Sequence, residues 1–522
     1  MFAMFTIRRQ PRSPRPSLHQ QLACAALALL LCPPFVAQAA EGTAGKRMDA
    51  RLKQIEHIVV IYAENRSFDN LYGLFPGADG ISRAPATARI QTDHNGQPLA
   101  KLPRVWNDKS GQFKQEMPNQ PFRLDAEPFN MGLTVKTPDL VHRYYQSIEQ
   151  INGGRMDRFA AMSDAGGLTM AHYDGAPLPM WKFAQEYVLA DHFFMGAFGG
   201  SFLNHFWLIC ACTPYYPDAP DSLKPRLDAD GKLKRRASSP DSALAGPPEL
   251  YDGRVTPDGY AVNTVQPPFQ PSGVIPPSGG DPRLADPARH ALPPQKFLTI
   301  GDTLSARGIR WAWYSGGWRA ALADGMQPPE APRTVIYGHQ EGKPSLEAHH
   351  QPFNYFARYA PGTEERARHL KDGDEFIAAI DAGTLPPVAF YKPGSHLNEH
   401  SGYADVLAGD AHIAQLVTRL QASPLWSKMA IIVTYDENGG YWDHVPPPSG
   451  PGWGDRWGPG ARIPAIIVSP FAKRGFVDST PYDTTSIIKF ITRRFGLEPL
   501  PGVRANAGDL SNAFDFRRRQ GK

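Results

Sequence analysis

Residues 58–62 read I-V-V-I-Y, an apolar and mostly β-branched run with no polar alternation. A strand that faces water on one side alternates; a run of this kind belongs to a strand covered on both faces, as in a parallel sheet flanked by helices. The run ends abruptly at Glu64 and Asn65. Residues 429–436, M-A-I-I-V-T-Y-D, repeat the pattern and end in Asp436 and Glu437. This pair of runs restricts the chain to an α/β fold. In open sheets of that class, ligands sit beyond the carboxyl ends of the strands. Two strands far apart in sequence thus deliver oxygen donors to one edge, and hard oxygen donors suit a divalent cation. Helix N-caps also favour Asp, Asn and Glu after a strand. One such site would read as a cap; the matched pair favours a shared site.

Further strands are predicted at 187–194, 309–314, 387–391 and 463–470, and helices at 139–161, 303–307, 365–381, 411–425 and 484–495. The 139–161 helix is broken at Gly153-Gly154 and carries His142 in its first turn. Alternation of short apolar strands with helices predicts a three-layer α/β/α sandwich around a mostly parallel central sheet. Residues 77–130 are expected to loop over the active-site face. The proline-rich 213–294 stretch is expected to be a long surface excursion, forming a lid or wall of the cleft. No internal repeat is evident.

The first forty residues are set apart from the fold. Arg8, Arg9, Arg12 and Arg15 precede an Ala/Leu-rich run at 22–31, and Ala37-Gln38-Ala39 fits a cleavage site. Residues 1–40 therefore read as a signal peptide, and Arg8-Arg9 is open to a twin-arginine reading. That leaves 41–522 as a single catalytic domain in a periplasmic or secreted protein. Loss of those four arginines takes the formal charge from +4 to about zero, which speaks against a nucleic-acid partner. No later segment is long and apolar enough to be a transmembrane span. Cys210 and Cys212 remain, either as one tight bridge or as two buried thiols.

A second cluster of candidates comes from loops. Residues 195–205, M-G-A-F-G-G-S-F-L-N-H, place Ser201 after a glycine-rich turn and at the start of an apolar helix. Glycines there let a backbone approach a ligand, and the helix dipole favours a phosphate or alkoxide. A plain serine N-cap, with Asn204 three residues on, is the competing reading. His142, His349, His350 and His400 lie on loops or helix starts near the predicted strand ends. Adjacent imidazoles at 349 and 350 can grip one anion from two sides.

E-N-R-S-F-D at 64–69, F-G-G-S-F-L-N-H at 198–205, N-E-H at 398–400 and Y-D-E-N-G-G-Y-W-D-H at 435–444 resemble motifs of the secreted bacterial phosphoesterase family. That family holds phosphatidylcholine-type phospholipases C and the acid phosphatases often called AcpA. The resemblance spans residues 54–497 and implies an alkaline-phosphatase-like fold of the alkaline phosphatase superfamily. It further implies one divalent metal ion held by Glu64, Asn65, Ser201, Asp436 and Glu437. Ser201 takes the place of the nucleophile, Asn204 that of a phosphate-binding amide, and His142, His349, His350 and His400 those of the substrate-binding histidines, with His400 or His142 protonating the leaving oxygen. Phospholipases C of the family typically offer threonine as nucleophile, and this chain has serine and no evident extra C-terminal β domain. The resemblance thus favours an acid phosphatase acting on a small phosphomonoester through a phosphoserine. A phospholipase C taking a phospholipid head group is the alternative. A non-catalytic secreted protein binding phosphate or sugar is the third reading. Protonated histidines, with an ordinary pKa of about 6.5, predict an acidic optimum.

Overall fold

The His57–Ala63 strand (β1) has every side chain from Ile58 onward buried. Met429–Tyr435, described below as β6, is buried throughout. Successive side chains of a strand point to opposite faces, so full burial requires cover on both sides of the sheet. The structure, a computed structural model, describes residues 45–517. Of these, residues 53–517 group as one compact unit; residues 45–52, a helical segment, fall outside it. The expected signal segment 1–40 lies outside the described residues.

In chain order the central sheet comprises β1, Val188–Ala190 (β2), Trp311–Ser315 (β3), Leu370–Asp372 (β4), Val388–Lys392 (β5), Met429–Tyr435 (β6), Ala465–Val468 (β7) and Phe476–Asp478 (β8). Its spatial order is β8-β2-β7-β6-β1-β5-β3-β4. β1 pairs in parallel with β5 on one side and β6 on the other, with Ile61 between Tyr391 and Val433. Only β7 runs antiparallel to its two neighbours. The fold is α/β with a mostly parallel central sheet. Its centre, where β6, β1 and β5 lie side by side, delivers Asp436, Glu64 and Lys392 to one edge.

The helices used below are Phe68–Tyr72 (α1), Tyr144–Ile151 (α2), Ser201–Cys210 (α3), Val406–Ala422 (α4) and Thr484–Phe495 (α5). Several bounds differ from the sequence reading. α2 starts after His142, because Arg143 is its extended N-cap. His142 therefore lies on the approach to the helix, not in its first turn. The 187–194 strand splits into Val188–Ala190 and Phe193–Phe194. The single helix expected at 365–381 is two, Glu364–His369 and Gly373–Asp381, separated by β4. Strands also follow the one expected to be last: β8 and Tyr482–Asp483. Cys210 and Cys212 form a disulfide at the end of α3. Among the described residues, no helix is long and apolar enough to cross a membrane. The 213–294 excursion brings Val262, Asn263 and Thr264 to the cleft, and so forms part of its wall.

Candidate functional site

Glu64 and Asn65 leave β1 in a turn that puts Asn65 in the left-handed region, φ 60°. Neither caps α1; Ser67 does. No helix follows β6 directly, so Asp436 and Glu437 are not caps either. The two turns interlock instead. Asn65 N–H donates to Asp436 Oδ1 at 3.2 Å, and Glu437 N–H to the same oxygen at 2.8 Å. Gly439 (φ 61°) is required here, since a Cβ would meet the Asn65 carbonyl at 2.3 Å. All four polar side chains are fully buried.

Ser201 is the first residue of α3. Its N-cap is Gly200, which makes no side-chain cap bond. The serine hydroxyl is therefore not spent on the helix. It donates to Asn65 Oδ1 at 3.2 Å and lies 3.4 Å from Glu437 Oε1, across 136 and 236 positions of sequence. The glycine turn is packed by the chain itself: a Cβ on Gly200 would meet the His142 carbonyl at 2.7 Å, and one on Gly199 (φ 94°) the Tyr144 nitrogen at 2.8 Å. The close approach read from Gly199 and Gly200 is thus made by residues 142–144 and fixes His142 beside Ser201.

Asn204 departs from its expected role. Its Oδ1 accepts from Ala197 N–H at 2.9 Å, and its Nδ2 donates to the carbonyls of Ala197 and Gly200 at 3.1 and 3.2 Å. The amide is fully buried. It satisfies the polar backbone of the glycine turn, which burial would otherwise leave unpaired, and does not line the cleft. In this structure the amide expected to bind phosphate braces the glycine turn.

The cleft over Ser201 has a volume of about 330 Å³, and His142, His349, His350, His400 and Tyr403 line it with the serine. His142 donates through Nδ1 to the Leu140 carbonyl at 2.6 Å, leaving Nε2 3.9 Å from Glu437 Oε1. Its ring is 5.5 Å from that of His400. His349 Nδ1 meets the Tyr337 hydroxyl at 3.3 Å. His350 Nε2 touches Glu64 Oε1.

Charge sorts these groups. Burial favours a neutral Glu64, but His350 and Lys392 outweigh it and hold the carboxyl well below the usual range. Burial pushes Glu437 up to about 8 against the pull of His142. Burial also opposes charge on His142, yet Glu437 and Asp139 overcome it and raise the imidazole to about 9. His349 goes the other way, pushed well below 6.5 by burial and by His350. His142 and His349 thus shift in opposite directions from the ordinary histidine value.

Residues not singled out from sequence complete the site. Lys392, fully buried, places Nζ 3.1 Å from Glu64 Oε1 and 3.7 Å from Asp436 Oδ2. Asn398 Nδ2 and the Tyr403 hydroxyl donate to Glu64 Oε2 at 2.6 and 3.0 Å. His205 stacks on His350 at 5.2 Å and donates to the Ser201 carbonyl at 2.7 Å. His205 lay in plain view within F-L-N-H; Lys392 and Tyr403 carried no local signal.

The donor set suits a hard divalent cation. Buried carboxylate oxygens Glu64 Oε1 and Asp436 Oδ2 carry no hydrogen bond and share one ammonium, Lys392 Nζ, at 3.1 and 3.7 Å; two buried carboxylates on one ammonium leave negative charge for a cation to balance. Glu64 with His349 and His350 is one of the residue groups able to hold a metal.

A model described as "Phosphoesterase family" matches residues 55–498. Among curated proteins, the chain is 27% identical to a non-hemolytic phospholipase C of Burkholderia pseudomallei, covering 94% of this chain and 63% of that protein. It is 26% identical to phospholipase C A of Mycobacterium tuberculosis, covering 89% and 78% respectively. The chain thus spans less than two thirds of the length of the Burkholderia relative. Among solved structures, it is similar to a Vibrio parahaemolyticus protein of the alkaline phosphatase superfamily, with TM-score 0.31, 10% identity, and coverage of 74% of this chain and 75% of that one.

Proposed function

Since the chain belongs to the phosphoesterase family, we propose that it is a phosphoric ester hydrolase whose nucleophile is Ser201, acting on a small phosphomonoester. The observation that carries this reading is the Ser201 hydroxyl, 3.2 Å from Asn65 Oδ1 and 3.4 Å from Glu437 Oε1 in a cleft it lines together with four histidines, His142, His349, His350 and His400. A phosphate ester is anionic, and its charge must be balanced before a nucleophile approaches. Glu64, Asn65, Asp436 and Glu437 would hold one divalent ion, which supplies Lewis-acid polarisation of a phosphoryl oxygen and lowers the pKa of a bound hydroxyl.

Ser201 gives up its hydroxyl proton to solvent water, its Oγ attacks phosphorus, the P–O bond to the leaving group breaks, and a phosphoserine forms. His142, raised to about 9, is protonated at neutral pH and gives its Nε2 proton to the leaving oxygen. His349, its imidazole pushed well below 6.5 by burial, and His350 hold equatorial oxygens through ring N–H groups. His400 stacks on Tyr403 at 4.4 Å and closes the wall behind His142. Water, passing one proton to His142 Nε2, then hydrolyses the phosphoserine, and the serine oxygen takes a proton back from solvent.

A second reading, phospholipase C, is favoured by the names of the relatives. It uses the same residues and differs in the leaving group, a diacylglycerol outside the cleft in place of a small alcohol. Secretion to an oxidising compartment after removal of residues 1–40 is proposed as well; the Cys210–Cys212 disulfide supports it, and N-terminal sequencing of exported protein tests it. For the reaction, Ser201→Ala is assayed on a chromogenic phosphomonoester and on phosphatidylcholine, with and without chelator. The variant should lose at least a thousandfold in kcat on whichever ester the wild type cleaves. Wild-type turnover by Ser201→Ala removes the serine from the mechanism.

A further inference from the structure

The interior of the site contains a cation of its own. Lys392 is the last residue of β5, whose Tyr391 lies beside Ile61 of β1. Its side chain therefore rises one position beyond that pair, straight into the turn carrying Glu64. There the ammonium is caged. Glu64 Oε1 is at 3.1 Å, Asp436 Oδ2 at 3.7 Å, and the Ala63 carbonyl at 3.3 Å accepts a hydrogen bond from it. The face of the Tyr62 ring, 5.3 Å from Nζ, closes the remaining side. No part of Lys392 meets solvent. Two carboxylates, a carbonyl and an aromatic face are what a buried cation requires.

Glu64 and Asp436 are also two of the carboxylates read above as metal ligands, and Glu437 is the third. These three buried carboxylates can offer at most three negative charges, and they already face the Lys392 ammonium and the His142 imidazole, 3.9 Å from Glu437. One divalent ion completes that set; a second would add two positive charges with no further carboxylate to meet them in a water-poor interior, where uncompensated charge is expensive. We infer that Lys392 is a built-in counter-cation that fixes the site at one divalent ion and sets how tightly that ion is held. It is a positioning residue, acting through Glu64 and Asp436, and it need not touch substrate. A covalently attached charge cannot be lost to a chelator or exchanged, so the half of the site it occupies is permanently filled.

The inference rests on the single-ion reading of the proposed function, and one experiment separates the two. Wild type and Lys392→Met are purified metal-free and loaded with Mn²⁺. Bound metal per chain, Mn²⁺ affinity by chelator competition, and melting temperature with and without Mn²⁺ are measured. The wild type should bind one ion. Lys392→Met should bind Mn²⁺ at least tenfold more tightly, because a competing positive charge has gone. It should melt lower than wild type when metal-free and be raised more by Mn²⁺, since the ion now relieves carboxylates that the ammonium had balanced. A residue with only a packing role would lower both melting points equally. One ion in the wild type with unchanged affinity and an equal Mn²⁺ response in the variant overturns the role of Lys392 alone. Two ions in the wild type overturn it as well. No bound ion in the wild type overturns the metal reading itself. Should Lys392→Met fail to fold, Lys392→Gln, which keeps a donor for the Ala63 carbonyl, serves the same comparison.

Discussion

Asp410 offers a quantitative check on the interior beneath the cleft. It lies in α4, fully buried. Its Oδ1 accepts from the Met180 N–H at 2.8 Å, and its Oδ2 has no hydrogen bond. Glu399 is also fully buried, sits on a left-handed turn at φ 75°, and carries an Oε1 with no hydrogen bond. Burial pushes the Asp410 carboxyl from 3.8 to about 7. An acid raised in the folded state favours folding most where both states are protonated. That contribution is complete below the unfolded value, and it is lost as pH rises from there through about 7. At 1.36 kcal/mol per unit the whole loss is about 4 kcal/mol, of which about 3 kcal/mol falls between pH 5 and pH 8. Asp410→Asn keeps the acceptor for Met180 and cannot ionise. Urea unfolding at pH 5, 6, 7 and 8 should therefore show the variant gaining on wild type by about 2–3 kcal/mol across the series. Parallel curves for the two proteins would refute the reasoning, because they would mean that Asp410 titrates alike in the folded and unfolded chains.

Other outcomes follow from contacts elsewhere. Gly200→Ala places a methyl 2.7 Å from the His142 carbonyl, so either the glycine turn or His142 must move; kcat should fall by about a hundredfold while the melting temperature shifts little. Arg462, fully buried, pairs with Asp69 at 3.1 Å and Asp443 at 3.0 Å. Arg462→Met takes the guanidinium from both carboxylates, leaving Asp69 only His444 at 2.6 Å, and should cost about 3–5 kcal/mol in urea unfolding. Tyr403→Phe removes the 3.0 Å hydrogen bond to Glu64 Oε2 and should weaken Mn²⁺ binding by about tenfold, as measured by chelator competition.

Much of the fold was legible because β1 and β6 are too apolar and too short to be anything but doubly covered strands. The acids after them were legible for the same reason, since a strand that stops on carboxylates at a sheet edge has few structural uses for them. Residues 365–381 misled because β4 is only three residues long, and its Leu-Lys-Asp sequence does not interrupt a helical pattern. His142 was assigned to a helix because the polar residues before α2 resemble a first turn. In the fold those residues meet the glycine loop and Glu437 instead. Asn204 shows a different limit. A buried glycine turn exposes several carbonyls and an N–H to an apolar interior, and only the three-dimensional path reveals that one amide answers them. Lys392 and Tyr403 both meet Glu64 from more than 300 positions away in sequence, and no local pattern could mark those contacts.

The adjacency of β6, β1 and β5 has a consequence for how such a protein can diversify. Neighbouring strands lie about 4.8 Å apart, so Asp436, Glu64 and Lys392 inherit their mutual spacing from the peptide lattice itself. Residues 213–294, by contrast, supply one flank of the opening and belong to no strand of that lattice. Lengthening, trimming or replacing that flank can retune which ester is admitted while the reactive centre keeps its dimensions.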